Sequence, residues 1–488
     1  MPDGNTTRPD LQATARQVML DHGFQPDFPP EVMQQMAAIR NQPQMPDSTS
    51  GVRDLRDLLW SSIDNDTSRD LDQIEVAERQ PDGSTRVLVG VADVDTLVLK
   101  GTPIDQHAAS ETTTVYTGVR NFPMLPEDLS TGATSLLENE DRMAVVVEFI
   151  VKADGTLGAT AVYHAVVRNK AQLQYNSVGA WLEGTSPAPP KVAGASALQD
   201  QLRIQDDAAQ KLKRQRFLHG ALNLQTDEFQ PLILNDQVVD VIKQQKNRAT
   251  ELIEDFMVAA NGAVACFLES VSSLRRIVRT PKRWDRIVQL AAEKGEKLPS
   301  QPDSKALNDF LLRRKTADPD HFPDLSLAVI KLIGPGEYVL ERAGETAPGH
   351  FGLAVQDYTH STAPNRRFAD IVTQRIIKSK LAGKANPYGD DELSAVATNC
   401  TVKEDAARKV EREMSKRLAA VAMQQKIGSV FDGIVTGVTD HGTFVRITEP
   451  RVEGLLAQGA RGVDVGDKVR VKLIRTDVNK GYIDFARV

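Results

Sequence analysis

Between residues 63 and 75 the chain reads IDNDTSRDLDQIE, which places Asp64, Asp66, Asp70, Asp72 and Glu75 within thirteen residues. The run restricts how its surroundings can fold, because so many carboxylates cannot be buried together without a cation or hydrogen-bond donors. Its flanks narrow the choice further. LRDLLWSSI ends in apolar and β-favouring residues, and QIEVAE followed by the apolar VLVGVADV comes after; both flanks read as strands or strand ends. The carboxylates are therefore expected on an irregular connection beside a sheet, where several oxygens can converge on a hard divalent ion such as Mg²⁺. A solvated acidic loop is the plain alternative.

A calcium loop is the nearest rival. Counted from Asp64, the residues Asp66, Ser68, Asp70, Asp72 and Glu75 fall at the ligand positions of an EF-hand. Arg69 stands where that loop needs a glycine for its sharp turn, and the flanks do not supply the two helices.

At 488 residues the chain has room for two to four domains. Its two cysteines, Cys266 and Cys400, are too few and too far apart for a disulfide framework or a zinc site. No stretch of eighteen apolar residues occurs and the N-terminus MPDGNTTRPD is polar, so the expectation is a cytoplasmic protein without a membrane span. The oligomeric state is open, with a monomer favoured.

The formal net charge of −7 argues against a protein that grips phosphates with its whole surface. Local charge differs. SLRRIVRTPKRW carries Arg275, Arg276, Arg279, Lys282 and Arg283, and KLKRQR carries Lys211, Lys213, Arg214 and Arg216. Each is either a solvated helix face or a phosphate track, and together they permit a basic channel.

Residues 1–48 suggest two short helices, DLQATARQVMLDHG and PPEVMQQMAAIRN, resembling a helix-turn-helix or a packing hairpin. QPQMPDSTSG reads as a linker. From about residue 51 strand-like runs extend to about 170 and helical periodicity to about 425, with GTSPAPPKVAG, KGEKLPSQPDSK and AGKANPYGDD as surface loops. The segment from DDELSAV to MQQKI predicts a long helix, broken at most once. Residues 426–488 hold five short β-rich runs between Gly and Asp turns, which predicts a small closed barrel of the oligonucleotide-binding type. Ten Lys and Arg against eight Asp and Glu give this part +2, leaving −9 for the rest. Phe431, Phe444 and His441 are candidate stacking rings there, with a place in the barrel core as the alternative.

Several of these segments also match one family in order. The acidic run, ADVD, HAASETTTVYTGVRNFPMLPEDLSTGATSL, LQYNSVGAWLEG, LIEDFMVAANGAVACFLE and YTHSTAPNRRFADIVTQR resemble the RNB catalytic domain of the ribonuclease II and ribonuclease R exoribonucleases. The terminal barrel is similar to the S1-type RNA-binding domain that ends those enzymes. The resemblance implies an α+β fold: an RNB-type catalytic domain over 51–425, the helical segment before it and a five-stranded OB-type barrel over 426–488. It implies a processive, Mg²⁺-dependent 3′-to-5′ hydrolysis of single-stranded RNA to nucleoside 5′-monophosphates. Residue by residue, it makes Asp64, Asp70 and Asp72 the catalytic and metal-binding acids and Arg366 the catalytic arginine, with Arg367 beside it. Tyr116 and Tyr175 correspond to the nucleotide clamps, Glu254 (or its neighbour Asp255) to a reader of ribose, and Glu411 to a glutamate near the site.

Three departures stand out. Gln73 occupies the position of a second adjacent aspartate, so one metal-shell group is neutral. Ala363 replaces a serine before Pro364. The helical pair stands where the family usually has two cold-shock barrels. Gln73 also motivates an alternative: an RNA-binding protein whose catalytic domain has degenerated.

Overall fold

The computed structural model describes residues 10–40, 51–225, 228–234, 237–244, 246–319 and 321–488, with backbone alone for the strands between 228 and 244. The linker expected at QPQMPDSTSG lies, apart from Gly51, outside the described residues. Two helices, α1 (Leu11–Asp21) and α2 (Pro30–Arg40), precede strands β1 (Arg53–Asp54), β2 (Ser61–Asp64), β3 (Gln73–Arg79) and β4 (Thr85–Ala92). Helix α3 (Pro103–Glu111) leads into a hairpin of β5 (Val115–Tyr116) and β6 (Asn121–Phe122), followed by β7 (Asp141–Val151), β8 (Leu157–Arg168) and β9 (Ala171–Gln174).

Seven of these strands form one sheet in the order β1-β8-β7-β4-β3-β2-β9. Its pairs are antiparallel except β1–β8 and β2–β9. The apolar runs of β4 and β7 occupy the middle and are buried almost throughout, as expected for strands covered on both faces. Gly90 of β4 is held to a bare Cα by this packing: a Cβ there would lie 3.2 Å from Ile74 and 3.3 Å from Trp60.

Helices α4 (Tyr175–Leu182), α5 (Pro190–Ala193) and α6 (Ser196–Leu218), a hairpin of β10 (Glu228–Leu234) and β11 (Gln237–Gln244), and α7 (Arg248–Phe267) come next. The Asn247 side chain caps the start of α7 by accepting from the Ala249 and Thr250 N–H groups. Phe256 of α7 meets Phe149 of β7 edge to face, with ring centroids 6.2 Å apart. Strand β12 (Ser273–Ile277) pairs with β13 (Glu337–Glu341) around α8 (Trp284–Glu293), α9 (Ser304–Ala317) and α10 (Phe322–Ile333), which share a core of their own. Helix α11 (Phe368–Leu381) and the long α12 (Asp390–Gln424) complete this part. The helical stretch expected after residue 170 is thus interrupted by two β pairs, and α12 runs unbroken. GTSPAPPKVAG, read as a loop, contains the single turn α5.

The last strands, β14 (Val430–Thr439), β15 (Gly442–Ile447), β16 (Glu453–Gln458), β17 (Lys468–Asp477) and β18 (Tyr482–Arg487), close a barrel in the order β14-β15-β16-β18-β17. Ala420 and Met423 of α12 enter the barrel core, so this helix joins the two parts through packing. Arg446 of β15 also donates two hydrogen bonds of 2.6 Å to Asp324 of α10.

The two N-terminal helices are present as expected, and both pack on the rest of the chain. Val18, Met19 and Phe24 pack with Val115 and Phe122 of the β5–β6 hairpin and with Val410 and Met414 of α12. Val32, Met36 and Ile39 of α2 join the main core. Their apolar faces therefore brace the chain around the hairpin. Among the described residues no helix is long and apolar enough to cross a membrane.

Candidate active site

The acidic run leaves the sheet at the end of β2 and re-enters it at β3, with an irregular turn between. That turn folds back because Asp64 Oδ1 accepts from the Asn65 N–H at 2.7 Å and from Ser68 Oγ at 2.8 Å. It is pegged by Leu71 N–H to Ser135 Oγ (3.0 Å) and by Ala92 N–H to the Asp72 carbonyl (2.9 Å). Strands on both sides confirm the rejection of an EF-hand, which needs helices there.

Asp72 is turned inward, with its side chain 3% exposed. Its Oδ1 accepts the Asn365 N–H at 2.9 Å and its Oδ2 accepts Arg366 Nε at 3.2 Å. Burial pushes its carboxyl up to about 7, against the pull of Arg366. Asp70 is raised as well, first by burial and further by Asp64. Asp66 is exposed.

The partner segment is equally constrained. Thr134 Oγ1 donates to Asn365 Oδ1 at 2.6 Å, and the Arg366 carbonyl accepts the Thr114 N–H at 3.0 Å. The buried Ala363 has its N–H bound to Asp370 at 2.8 Å, so the position that departs from the family serine is fixed through its backbone. Thr114 leads into β5, where the Tyr116 N–H donates to Glu411 Oε1 of α12 at 3.1 Å. Arg366, Tyr116 and Glu411 thereby meet at one cleft of about 220 Å³, also lined by Tyr338, His360 and Glu404. Tyr175 does not line this cleft; it opens α4 directly after Gln174, which the parallel register sets beside Asp64.

Other expected residues are placed differently. Arg367 lines the cleft, but its guanidinium is bound to both oxygens of Asp370 at 2.9 and 2.7 Å, so its charge is already matched. Glu254 is exposed and paired with Lys246 at 2.8 Å, while Asp255 is buried against Arg216. Neither lines the cleft. Several cations of the two basic stretches are matched by acids: Arg275 pairs with Glu341, Arg276 with Glu404, Arg279 with Glu337, Lys211 with Asp207 and Lys213 with Glu251. On the barrel, Phe431 packs against the core, Phe444 is half-buried and His441 is exposed at the β14–β15 turn.

Tyr338 and His360 received no role from the sequence. The Tyr338 hydroxyl lies 2.7 Å from His360 Nδ1, and burial with nearby Arg367 keeps the imidazole well below its usual pKa and neutral at pH 7. The only signal for His360 was its place inside YTHSTAPNRRF.

The donor set suits a hard cation: three carboxylates and the Gln73 amide, two of the acids held above their usual pKa chiefly by burial. Among the described residues no three acids of the run bring oxygens within 4.8 Å of one another, so binding requires them to draw together.

A sheet-edge acid cluster facing an arginine and two tyrosines, with a closed terminal barrel, defines the RNase II/RNase R architecture. Residues 52–383 match the RNB domain and residues 429–488 the RNase II-type exonuclease C-terminal S1 domain. The chain belongs to the RNB family. It is 28% identical to Ribonuclease R of Escherichia coli (strain K12), over 94% of this chain and 60% of the relative. Ribonuclease R of Thermotoga maritima is 29% identical, over 95% of this chain and 68% of the relative. The chain thus spans only about 60% of the length of the E. coli protein. The structure of Mycoplasma genitalium RNase R in complex with ribose methylated single-stranded RNA shares the fold, with a TM-score of 0.86, 22% identity, and coverage of 98% of this chain and 78% of that one.

Proposed function

We propose that this protein is a processive 3′-to-5′ exoribonuclease that hydrolyses single-stranded RNA to nucleoside 5′-monophosphates with Mg²⁺. The observation that carries this reading is the clamp between Asp72 and the Asn365–Arg366 segment, which sets a buried carboxylate and a guanidinium open to the cleft side by side. Asp64, Asp70, Asp72 and the Gln73 amide would hold the ion, which supplies an acidified water and neutralises charge on the phosphate. Arg366 meets the non-bridging phosphate oxygens with a planar, permanently charged fork. Tyr116 and Tyr175 offer ring faces to the last bases, and Glu411 fixes the backbone from which Tyr116 projects. Water attacks the phosphorus, the 3′-oxygen of the preceding nucleotide leaves with a proton, and the last nucleotide departs as a 5′-monophosphate. The barrel, at +2, contributes phosphate contacts.

Gln73 favours a second reading, an RNA-binding protein with a weakened centre. One gel separates the two. Single-stranded RNA labelled at its 5′ end, incubated with Mg²⁺, is expected to shorten from the 3′ end to a small final fragment without intermediates, and to persist when chelator is present. Full-length RNA that is bound but never shortened would establish the second reading.

A further inference from the structure

His360 of the YTHSTAPNRRF segment lines the cleft beside Arg366 and Tyr116, and so does Tyr338 of β13. Both are held from several directions. On one side of His360, Thr359 Oγ1 donates to the Leu274 carbonyl of β12 at 2.8 Å; on the other, the Ser361 N–H donates to Asn261 Oδ1 of α7 at 2.8 Å. The Tyr338 N–H donates to Thr401 Oγ1 of α12 at 2.9 Å, and its ring faces the Arg276 guanidinium 4.8 Å away. Between them, the Tyr338 hydroxyl and His360 Nδ1 share a hydrogen bond of 2.7 Å. That leaves Nε2, which has no hydrogen-bond partner among the described residues, on a ring that is only partly buried.

The other cations around this ring are committed. Arg276 is matched by both oxygens of Glu404 at 2.6 and 2.8 Å, Arg367 by Asp370 and Arg408 by Asp405, which leaves Arg366 to face a phosphate. His360 is neutral at pH 7, so Nε2 offers one hydrogen bond without charge. A hydroxyl complements Nε2 whichever ring nitrogen carries the proton, because it both donates and accepts. A phosphate oxygen serves only one tautomer, and base edges change from one nucleotide to the next. An enzyme that starts at the 3′ end must recognise the terminal sugar, whose 2′- and 3′-hydroxyls are both free. Glu254, expected to read ribose, is paired with Lys246 and does not line the cleft.

We propose that His360 is a specificity residue for the RNA 3′ end: its Nε2, oriented by the Tyr338 hydroxyl, takes a ribose hydroxyl of the terminal nucleotide while Arg366 takes the phosphate. This rests on the reading of the cleft as the seat of that end. It gives a histidine kept neutral among arginines a task that does not need its charge.

The test is competition binding to the full chain, in chelator so that RNA persists. The competitors are short single-stranded RNAs that differ only at the last nucleotide, which carries ribose, 2′-deoxyribose, 3′-deoxyribose or a changed base. The natural protein is expected to bind the ribose end about tenfold more tightly than one of the deoxy ends, as for loss of one hydrogen bond to a partly buried group. His360→Phe keeps a ring against Tyr338 and Tyr358 and should bind all sugar ends alike, at the level of the weaker one. The double variant His360→Phe/Tyr338→Phe leaves no orphaned hydroxyl and should do the same. The proposal is overturned if the natural protein does not distinguish the sugar ends, if both variants still distinguish them or weaken every end by one factor, or if the variants change preference for the base instead. The same RNAs with Mg²⁺ report on the enzyme separately. Sugar ends that are distinguished but never shortened would remove the exoribonuclease reading and leave the role of His360 standing.

Discussion

Arg366 Nε donates to Asp72 Oδ2 at 3.2 Å across 294 residues of chain, and the terminal nitrogens of the guanidinium make no hydrogen bond among the described residues. One edge of the fork is thus anchored on the acid that it faces, and the other is left to the cleft. The Asn365 N–H on the second oxygen of Asp72 makes the arrangement bidentate for the carboxylate, so acid and arginine are placed by the same backbone turn.

Asp72→Asn is nearly isosteric and keeps an acceptor for the Asn365 N–H, but it removes the charge opposite Arg366. Hydrolysis of end-labelled single-stranded RNA is expected to fall by about a thousandfold or more, as for loss of a main electrostatic group in an active site. RNA affinity, measured by filter binding, should stay within a few-fold. Equal losses of affinity and hydrolysis would mean that Asp72 holds the cleft together rather than serving the chemistry.

The metal-free protein should lose stability as pH rises from about 4 to about 7. Asp72 titrates near 7 in the folded state because burial raises it, and near 4 when unfolded. Below pH 4 both states are protonated and the group contributes nothing. Between the two values the unfolded chain releases its proton first, so the folded state loses up to about 1.4 kcal/mol per pH unit, levelling off above 7. Glu75 adds a fall of the same sign. In urea unfolding, Asp72→Asn should match the natural protein at pH 4 and exceed it at pH 8; parallel curves would contradict the assigned burial.

Deleting residues 426–488 should weaken RNA binding and flatten its dependence on salt, since fewer phosphates are neutralised and fewer counterions released. The deletion also uncovers Ala420 and Met423, both fully buried under the barrel, so the shortened chain needs Met423→Ser to stay dispersed. An unchanged slope of log affinity against log salt would show that the barrel does not touch the backbone of the RNA.

Gln73→Asp restores a charge to the metal shell. The Mg²⁺ concentration for half-maximal activity is expected to fall, provided that the shorter side chain reaches the ion. Superimposed titration curves would place Gln73 outside the shell.

Much of the fold was legible locally. The valine-rich runs of β4 and β7, the five β-rich segments of the barrel and the Pro-free α12 are all written in periodicity and turn residues. The acidic turn between two strand ends was legible for the same reason. The β12–β13 pair was not, since its strands lie 60 residues apart and SLRRI reads as a cationic segment until Glu341 and Glu404 are brought to it.

The sequence by itself determined which chemistry is present: clustered acids on a strand connection, paired arginines after Pro364, tyrosines in matching contexts and a terminal barrel. Only the tertiary structure decided which of those charges remain free to act. Arg366 opens to the cleft, whereas Arg367, Arg275 and Arg276 are matched by Asp370, Glu341 and Glu404. Glu75, one acid among five in the run, proves to be fully buried without a partner. The physical reason is that a charge acts according to its solvation and its nearest counter-charge, and both are supplied here by segments distant in the chain that meet only when the core closes.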